Sequence, residues 1–415
     1  MKLKEIRVEG YKNLGKCVLS MRDFNVVVGP NNSGKTNLLE VFRVLWCLCW
    51  GAEDDRRAFL KGAPPYRNER EDFTFSRPSG SRLALGFTFE TEVDGDAWVV
   101  DFDLSVKRAV RPRADEGMGF ESERLKAKQP SKTGPARTFL CRDKKELRIG
   151  EKVHRIPLFT SGIAAVSVLY PEPGSSPREL ETFIRDIQTI AATPIYALSA
   201  QALRANLRRD ALPSEHRHSS FGLLAAINEL HESTEKYTIF RNAVCEILDL
   251  EDIEFKVCAI TFPRSKGDQE KETDRVKFCF IRRRWGEYAE LAEYSDGTLI
   301  VTALVAALVL RDPTQGLTCV EELENCLHPS ALERLLRFLR SNANKWQLVV
   351  TTHSPYLVNG VEPDDVLVAV VGKNGLSEFG KPGKRREIDE LLKRGYMSFG
   401  ELMVTNFEDK VVLPR

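Results

Sequence analysis

The stretch Phe24–Thr36, FNVVVGPNNSGKT, decides the fold of this 415-residue chain. Its first part, Phe24–Val28, is short, apolar and β-branched, which predicts a fully buried strand, because strands of parallel sheets lose the polar alternation. The next part, Gly29–Thr36, fits the pattern G-x-x-x-x-G-K-[ST]. After it, Asn37–Trp50 carries apolar residues at helical spacing. A strand, a glycine-rich loop and a helix in this order predict a phosphate-binding unit.

Each residue type in this loop suits an anion. Glycine lets the backbone curl, so that successive N–H groups face the phosphates. Lys35 adds a cation, Thr36 offers a hydroxyl to Mg²⁺, and the following helix points its positive end at the anion. The candidate nucleotide-binding residues are Gly29, Pro30, Asn31, Asn32, Ser33, Gly34, Lys35, Thr36 and Asn37.

A second motif, Gly316–Pro329 (GLTCVEELENCLHP), places two carboxylates after an apolar strand at Leu317–Val320. The first, Glu321, would reach Mg²⁺ through water, and the second, Glu322, would orient or deprotonate an attacking water. The alternative is an acidic helix start, where carboxylates only favour the helix dipole. The phosphate loop elsewhere in the chain favours the catalytic interpretation.

Two shorter strings complete the pattern. His353 ends an apolar strand in VVTTHSP, where a histidine could sense a γ-phosphate, although a lone histidine is more often structural. Ser295, Asp296 and Gly297 (in YSDGT) precede an apolar helix and could present a hydroxyl and free N–H groups to an anion. A simple N-cap would look the same.

The rest of the chain predicts an α/β fold: a P-loop NTPase with an ABC-type head, in which a mixed sheet is flanked by helices, plus a helical lobe. Strands are expected at Arg82–Glu90 and Ala97–Leu104, and helices over most of 177–250. We expect one discontinuous domain. Its parts are an N-terminal part (1–104), a basic insertion with the helical lobe (105–290) and a C-terminal part (291–415).

Composition excludes a global attraction to nucleic acid or membrane, since 61 Lys and Arg face 60 Asp and Glu. Residues 105–154 are a local exception, with fourteen basic against seven acidic residues. Their Pro, Gly, Ser and Lys content over 110–136 predicts that part of this stretch is a mobile loop. The longest apolar run, Val301–Leu310, is too short for a bilayer, and Met1–Glu5 lacks a secretory signal. The nine scattered cysteines suit a reducing cytosol, so we expect a cytoplasmic protein.

Taken in the order in which they occur along the chain, the four motifs resemble the ABC-type ATPase heads of the RecF, SMC and OLD kind, often labelled AAA-family ATPases of the AAA-15 or AAA-21 type. The opening LKEIRVEGYKNLGKCVLSMRDFNVVVGPNNSGKTNLLE is similar to that family through the Walker A loop. YSDGT resembles its signature motif, VEELENCLHP its Walker B and D-loop, and TTHSP its switch histidine.

The resemblance implies a homodimer with ATP sandwiched between its subunits, and it leaves a higher oligomer open. Walker A of one subunit would hold ATP and Mg²⁺, with Thr36 and Glu321 at the metal. Ser295, Asp296 and Gly297 of the partner would face the γ-phosphate. Glu322 would be the general base and His353 the sensor. This chain departs from the family in having Glu321 where Asp is usual and Leu323 where Pro is usual, and only Gln201 is a candidate for the Q-loop.

The resemblance leaves three functions open. The first is a switch working with a separate effector, a nuclease or toxin, as in bacterial anti-phage defence. The second is a RecF-like clamp on DNA, in which residues 105–154 and the Arg282–Arg284 run would contact phosphates. The third is a scaffold that never hydrolyses ATP. We expect neither a TOPRIM nuclease domain nor SMC-type heptad arms.

Overall fold

The computed structural model describes residues 1–61, 82–107, 118–172, 174–207, 223–263, 271–311, 316–343, 345–372, 374–382, 392 and 398–405. The described residues form two units. Unit 1 takes its described residues from 1–194, 316–319 and 347–405, and unit 2 from 195–311 and 320–346.

The strands, in chain order, are β1 (Lys2–Tyr11), β2 (Leu14–Ser20), β3 (Phe24–Val28), β4 (Arg82–Val93), β5 (Asp96–Lys107), β6 (Gly119–Lys128), β7 (Arg137–Asp143), β8 (Glu146–Ile149), β9 (Lys152–Arg155), β10 (Ile195–Tyr196), β11 (Leu250–Pro263), β12 (Lys271–Arg283), β13 (Tyr288–Glu290), β14 (Leu317–Val320), β15 (Gln347–Thr352), β16 (Val366–Val371) and β17 (Ser377–Gly380). The helices are α1 (Lys35–Trp50), α2 (Glu53–Leu60), α3 (Gly162–Leu169), α4 (Arg178–Ala191), α5 (Ala200–Leu207), α6 (Leu223–His231), α7 (Thr234–Leu248), α8 (Asp296–Leu310), α9 (Pro329–Ser341), α10 (Pro355–Asn359) and α11 (Phe399–Thr405).

Unit 1 is built on a large mixed sheet. Its strands follow the order β14-β15-β3-β16-β17-β2-β1-β4-β5-β6-β7-β8-β9. The phosphate-loop strand β3 lies between β15 and β16 and runs parallel to both. All five of its residues are buried, as the apolar run predicts. The remaining strands from β2 through β1 to β9 pair antiparallel. The expected mixed sheet is therefore confirmed.

A two-residue turn joins β4 and β5 into a hairpin. Asp94 and Gly95 take positive φ angles of 52° and 86°, and Val93 is the register partner of Asp96. Two residues with positive φ match the right-handed twist of the strands on either side. This turn lies within the run of antiparallel strands that ends at β9.

Part of 110–136 is expected to be a mobile loop; residues 108–117 lie outside the described residues, and residues 129–136 belong to no helix or strand. Residues 119–128 form β6, which pairs with β5 and β7. Along β6, buried Leu125 and Ala127 alternate with Arg124 and Lys128, which are exposed. The basic side chains therefore lie on the outer face of a regular strand, a period-2 pattern that composition alone hides.

Unit 2 has α8 at its centre. From Gly297 to Val309 every residue of this helix is buried, and α5, α6 and α7 pack against it. A three-stranded antiparallel sheet, β11-β12-β13, completes the unit. The helices expected over most of 177–250 include α6 and α7, and Ser233 caps the second of these by accepting a hydrogen bond from the Lys236 amide.

Candidate functional site

The loop Gly29–Thr36 curls around its own lysine. Lys35 Nζ donates to the carbonyl oxygens of Gly29 at 2.8 Å and of Pro30 at 2.9 Å. Asn32 and Gly34 take positive φ angles of 65° and 90°, which close the curl before α1 begins. The ammonium group is thus held inside the concave side of a loop that leads into a helix N-terminus.

Both loop glycines are required by close contacts. A Cβ on Gly29 would lie 2.3 Å from the carbonyl oxygen of Ala369 in β16. A Cβ on Gly34 would lie 2.4 Å from Ser377 Oγ in β17. These distances are shorter than any van der Waals contact, so each glycine lets a neighbouring strand approach the loop.

Asn13 holds the loop from the side of β1 and β2. Its side-chain amide donates to the Asn32 carbonyl at 2.9 Å, and its Oδ1 accepts from Asn37 Nδ2 at 2.6 Å. Nearby, Tyr11 Oη and Lys12 Nζ both donate to Glu40 Oε2, at 2.8 and 2.6 Å. The turn between the first two strands therefore fastens the phosphate loop and the first turns of α1. Nothing in the local sequence pattern singles out Asn13.

His353 lies at the same sheet edge as the loop. Thr352, the last residue of β15, is the register partner of Val28, the last residue of β3. Because β15 and β3 are parallel, His353 follows one strand where Gly29 follows the other. The loop after β15 is fixed by the Ser354 amide, which donates to Thr352 Oγ1 at 2.9 Å. Unit 1 thus brings together the phosphate loop and the predicted sensor.

The two carboxylates follow β14 in a turn, and α9 starts only at Pro329, so they are not an acidic helix start. The Glu321 amide donates to the Tyr196 carbonyl of β10 at 2.9 Å. Glu322 is exposed, has a φ angle of 48°, and accepts a hydrogen bond from Asn325 Nδ2 at 2.6 Å. Left-handed backbone at a residue other than glycine is uncommon and concentrates at functional sites.

The predicted signature residues begin α8. Ser295 is its N-cap and accepts from the Thr298 amide at 3.4 Å, so the simple capping interpretation also holds. Ser295 and Asp296 are exposed, whereas Gly297 is buried. A Cβ on Gly297 would lie 2.5 Å from the Cys326 carbonyl oxygen. Unit 2 therefore packs the signature residues against the turn that carries Glu322.

Two families match the chain. The family described as "AAA domain, putative AbiEii toxin, Type IV TA system" matches residues 171–359, and the family described as "AAA ATPase domain" matches residues 1–47. The second match contains the whole phosphate loop. The first contains the signature residues, both carboxylates and His353. The chain is an ABC-type P-loop ATPase of the SMC, RecF and OLD group. As an ATPase, it binds and hydrolyses ATP.

The chain is similar to solved structures of SMC heads. An SMC head bound to the C-winged helix domain of ScpA matches with a TM-score of 0.51 at 13% identity, over 94% of this chain and 100% of that one. An SMC head domain from Thermotoga maritima (14% identity, 92% and 100% covered) has a TM-score of 0.45. An SMC head with an extended coiled coil, bound to a ScpA domain derived from Pyrococcus furiosus (12% identity, 95% and 99% covered), has a TM-score of 0.47. Only the first supports the fold. No curated protein matches the ATPase.

The loop of this ATPase offers a buried polar atom for a nucleotide. Ser33 is fully buried, and within the described part of the chain its Oγ makes no hydrogen bond. Buried hydroxyls without a partner are rare in folded proteins and call for an explanation. A phosphate oxygen at the loop would supply the missing partner. Thr36 is exposed on the first turn of α1, so its hydroxyl is accessible.

The ATPase also contains contacts that sequence reasoning missed. In unit 1, Asn359 Oδ1 accepts from the Gly400 amide at 2.6 Å, which docks α11 on the helix that follows His353. In unit 2, the guanidinium of Arg204 reaches the loop before α8. Both contacts join residues that are distant in sequence, so no motif spacing reports them. Among the described residues, no helix is both long and apolar enough to cross a membrane.

Proposed function

We propose that this ATPase is a dimeric switch: ATP closes two heads, hydrolysis reopens them, and a separate effector protein responds to the state. The observation that carries the proposal is the register of β15 against β3, which places His353 beside Gly29 at one sheet edge. From that position an imidazole can hydrogen-bond a γ-phosphate and register its loss. A sensor next to the phosphate loop is what a nucleotide-driven switch requires.

Lys35 is the group that would hold the β- and γ-phosphates. In the structure its ammonium group is bonded to two loop carbonyls, and phosphate oxygens would replace them as stronger, charged acceptors. Thr36 and Glu321 would hold Mg²⁺, which prefers oxygen ligands of this kind. The bound metal would neutralise charge that develops on the phosphates.

Glu322 would be the general base. Its carboxylate is exposed and at present accepts a hydrogen bond from Asn325 within its own turn. When the two heads close on each other, the same carboxylate would accept a proton from the water that attacks the γ-phosphate. Across the dimer, Ser295, Asp296 and Gly297 of the partner head would face that phosphate. The exposure of Ser295 and Asp296 at the start of α8 supports this role.

The test is the variant Glu322→Gln, which keeps the shape of the side chain and removes the base. We expect ATP to remain bound, hydrolysis to fall on the order of a hundredfold or more, and a dimer to accumulate. Gel filtration with ATP and with ADP measures the dimer, and phosphate release measures turnover. Glu333→Gln, which replaces an exposed carboxylate on α9 by a carboxamide, is the matched control. Wild-type turnover by the Glu322 variant would move the base to Glu321 or Glu324.

We further propose that the effector is a nuclease or toxin of a bacterial anti-phage system that acts in the cytoplasm. The family description that names a toxin of a Type IV toxin–antitoxin system supports this role. The test is plaque counting on a host that carries the chain with its neighbouring genes. We expect protection, and its loss with Lys35→Ala or Glu322→Gln. Equal plaque numbers with and without the wild-type genes would contradict the defence role.

A second candidate function is DNA binding by a RecF-like clamp, and the outer face of β6 to β8 favours it. Arg124 pairs in register with Cys141, which pairs with Arg148, so both cations lie on one face. Lys126 and Lys128 follow Arg124 on that face at the spacing of two that a strand imposes. Duplex DNA would meet a row of cations there.

A further inference from the structure

The start of α8 is the accessible end of an otherwise buried helix. Residues Gly297 to Val309 are buried, and only Ser295 and Asp296 are exposed at the N-terminal end. In a dimer of the proposed kind, a partner's nucleotide would meet this end. The position of the loop that leads into α8 therefore decides whether Ser295 and the first free N–H groups are correctly placed.

Arg204 of α5 holds that loop at three points. Its Nε donates to the Ala292 carbonyl at 3.3 Å, one terminal nitrogen donates to the Tyr294 carbonyl at 2.5 Å, and the other to the Asp296 carboxylate. The three acceptors lie on both sides of Ser295 in sequence. Arg204 has 33% of its side chain exposed, so most of the guanidinium is enclosed by its partners.

Arginine is the one side chain that can make this set of contacts. Its planar guanidinium presents five N–H donors in a fixed fork, whereas the lysine ammonium is a flexible point charge. A fork bonded to two carbonyls and one carboxylate fixes the direction of the backbone between them. Lysine at this position would keep the attraction to Asp296 and lose the geometry.

Two further contacts restrict the same loop. Gly297 packs so closely on the Cys326 carbonyl oxygen that a Cβ would lie 2.5 Å from it. Tyr294 is anchored as well, because its hydroxyl donates to the Ile281 carbonyl at 2.7 Å. The close packing of Gly297, the Tyr294 hydrogen bond and the three contacts of Arg204 therefore all restrict the loop.

We propose that Arg204 is a positioning residue for the signature loop, and that each subunit uses it to present Ser295 to the nucleotide of its partner. The inference rests on the proposed ATP-sandwich dimer and adds a residue to it. Since Lys35 and the phosphate loop belong to unit 1, the loss of Arg204 leaves nucleotide binding by a single head unchanged. What is lost is the closing of two heads.

The experiment places Arg204→Ala and Arg204→Lys in the Glu322→Gln background. We expect both to bind a fluorescent ATP analogue as the parent does. Loss of a hydrogen bond between Ser295 and a charged phosphate corresponds to about tenfold or more in binding, so we expect ATP-dependent dimerisation to weaken at least tenfold. The control is Arg178→Ala in the same Glu322→Gln background, because this arginine is 80% exposed.

The outcomes separate this inference from the proposed function. A parent that stays monomeric with ATP overturns both. A parent that dimerises, with Arg204→Ala dimerising equally well, overturns the role of Arg204 alone. The role is also overturned if Arg204→Ala weakens ATP binding as much as dimerisation. Arg204→Lys keeps the positive charge, so a loss of dimer with this variant at an unchanged melting temperature supports the loop contact even if Arg204→Ala lowers the melting temperature.

Discussion

The side-chain amide of Asn13 donates a hydrogen bond of 2.9 Å to the backbone carbonyl of Asn32, inside the phosphate loop. The same side chain accepts from Asn37 on the first turn of α1. Asn32 has a φ angle of 65°, which an asparagine tolerates but which the surrounding contacts must maintain. The turn between β1 and β2 therefore stabilises the conformation that presents the loop amides to phosphate.

We expect Asn13→Ala to weaken ATP binding several-fold, because the two lost hydrogen bonds are worth about 0.5–1.5 kcal/mol each. Titration with a fluorescent ATP analogue measures the effect. Asn342→Ala removes a comparable local bond at the end of α9 and should leave affinity unchanged. Equal affinities for the Asn13 variant and the wild type would show that the loop keeps its shape without this brace.

Lys35→Ala should abolish ATP binding, with affinity reduced on the order of a hundredfold or more, because no other side-chain cation of the loop reaches the phosphates. Lys16→Ala, an exposed lysine on β2, is the control for a lost positive charge. The same analogue titration checks both variants. Binding by the Lys35 variant at wild-type strength would contradict the assignment of the phosphate loop.

Gly400→Ala should lower turnover several-fold while ATP affinity is kept. The new Cβ would lie 2.1 Å from the Pro355 carbonyl oxygen, so α11 must move or displace the loop that begins at His353. Steady-state kinetics should show a lower kcat with little change in analogue binding. Gly286→Ala is the matched control, since its Cβ would meet its nearest atom at 3.5 Å. An unchanged kcat would separate α11 from the sensor loop.

Unit 1 contains a buried ion pair. Arg142 and Glu123 lie 3.0 Å apart with side chains 0% exposed. Glu123 also accepts from Ser161 Oγ at 2.7 Å, and Arg142 donates to the Pro157 carbonyl at 2.9 Å. Burial lowers the pKa of Arg142, and the carboxylate of Glu123 opposes that shift. The pair therefore depends on its hydrogen bonds to offset the cost of desolvation.

Arg142→Met should lower the free energy of unfolding by about 3–5 kcal/mol, because it leaves the Glu123 charge buried without its cation. Urea denaturation measures the change. Arg337→Ala breaks an exposed pair with Glu333 on α9 and should cost about 0.5 kcal/mol or less. If both variants lose the same small amount, the buried pair contributes no more than a surface pair.

For the DNA-binding candidate, we expect duplex affinity to fall steeply with salt, because each neutralised phosphate releases counterions. Reversal of Arg111, Arg113, Lys126 and Lys128 to Glu should remove most of the affinity and leave ATPase activity without DNA intact. Arg111 and Arg113 lie outside the described residues, so a second variant reverses only Arg124, Lys126, Lys128 and Arg148 on the outer face. Filter binding from low to high salt decides the matter. If the wild type binds DNA weakly and equally at all salt concentrations, with or without ATP, the DNA-clamp function is contradicted.

Local sequence was sufficient for the phosphate loop and for most elements. The strands at Phe24–Val28 and at Leu317–Val320 lie where the apolar runs predict them. Such runs report burial directly, and the glycine pattern reports a backbone that only a small residue allows. Composition over 110–136 did not separate residues 119–128, which form β6, from residues 129–136, which belong to no helix or strand.

The sequence by itself determined the family, the phosphate loop and the residue types available for catalysis, because these depend on short spacings along one strand–loop–helix unit. Only the tertiary structure decided which strands flank that loop and which distant side chains hold it. Thr352 and Val368 both pair with Val28 across more than 300 residues of chain. Nearly every residue type offers the same backbone hydrogen-bonding groups, so the residues of one strand do not identify the strand with which it pairs. The same holds for Asn13 at the loop and Arg204 at the signature, whose contacts exist only once the chain has folded.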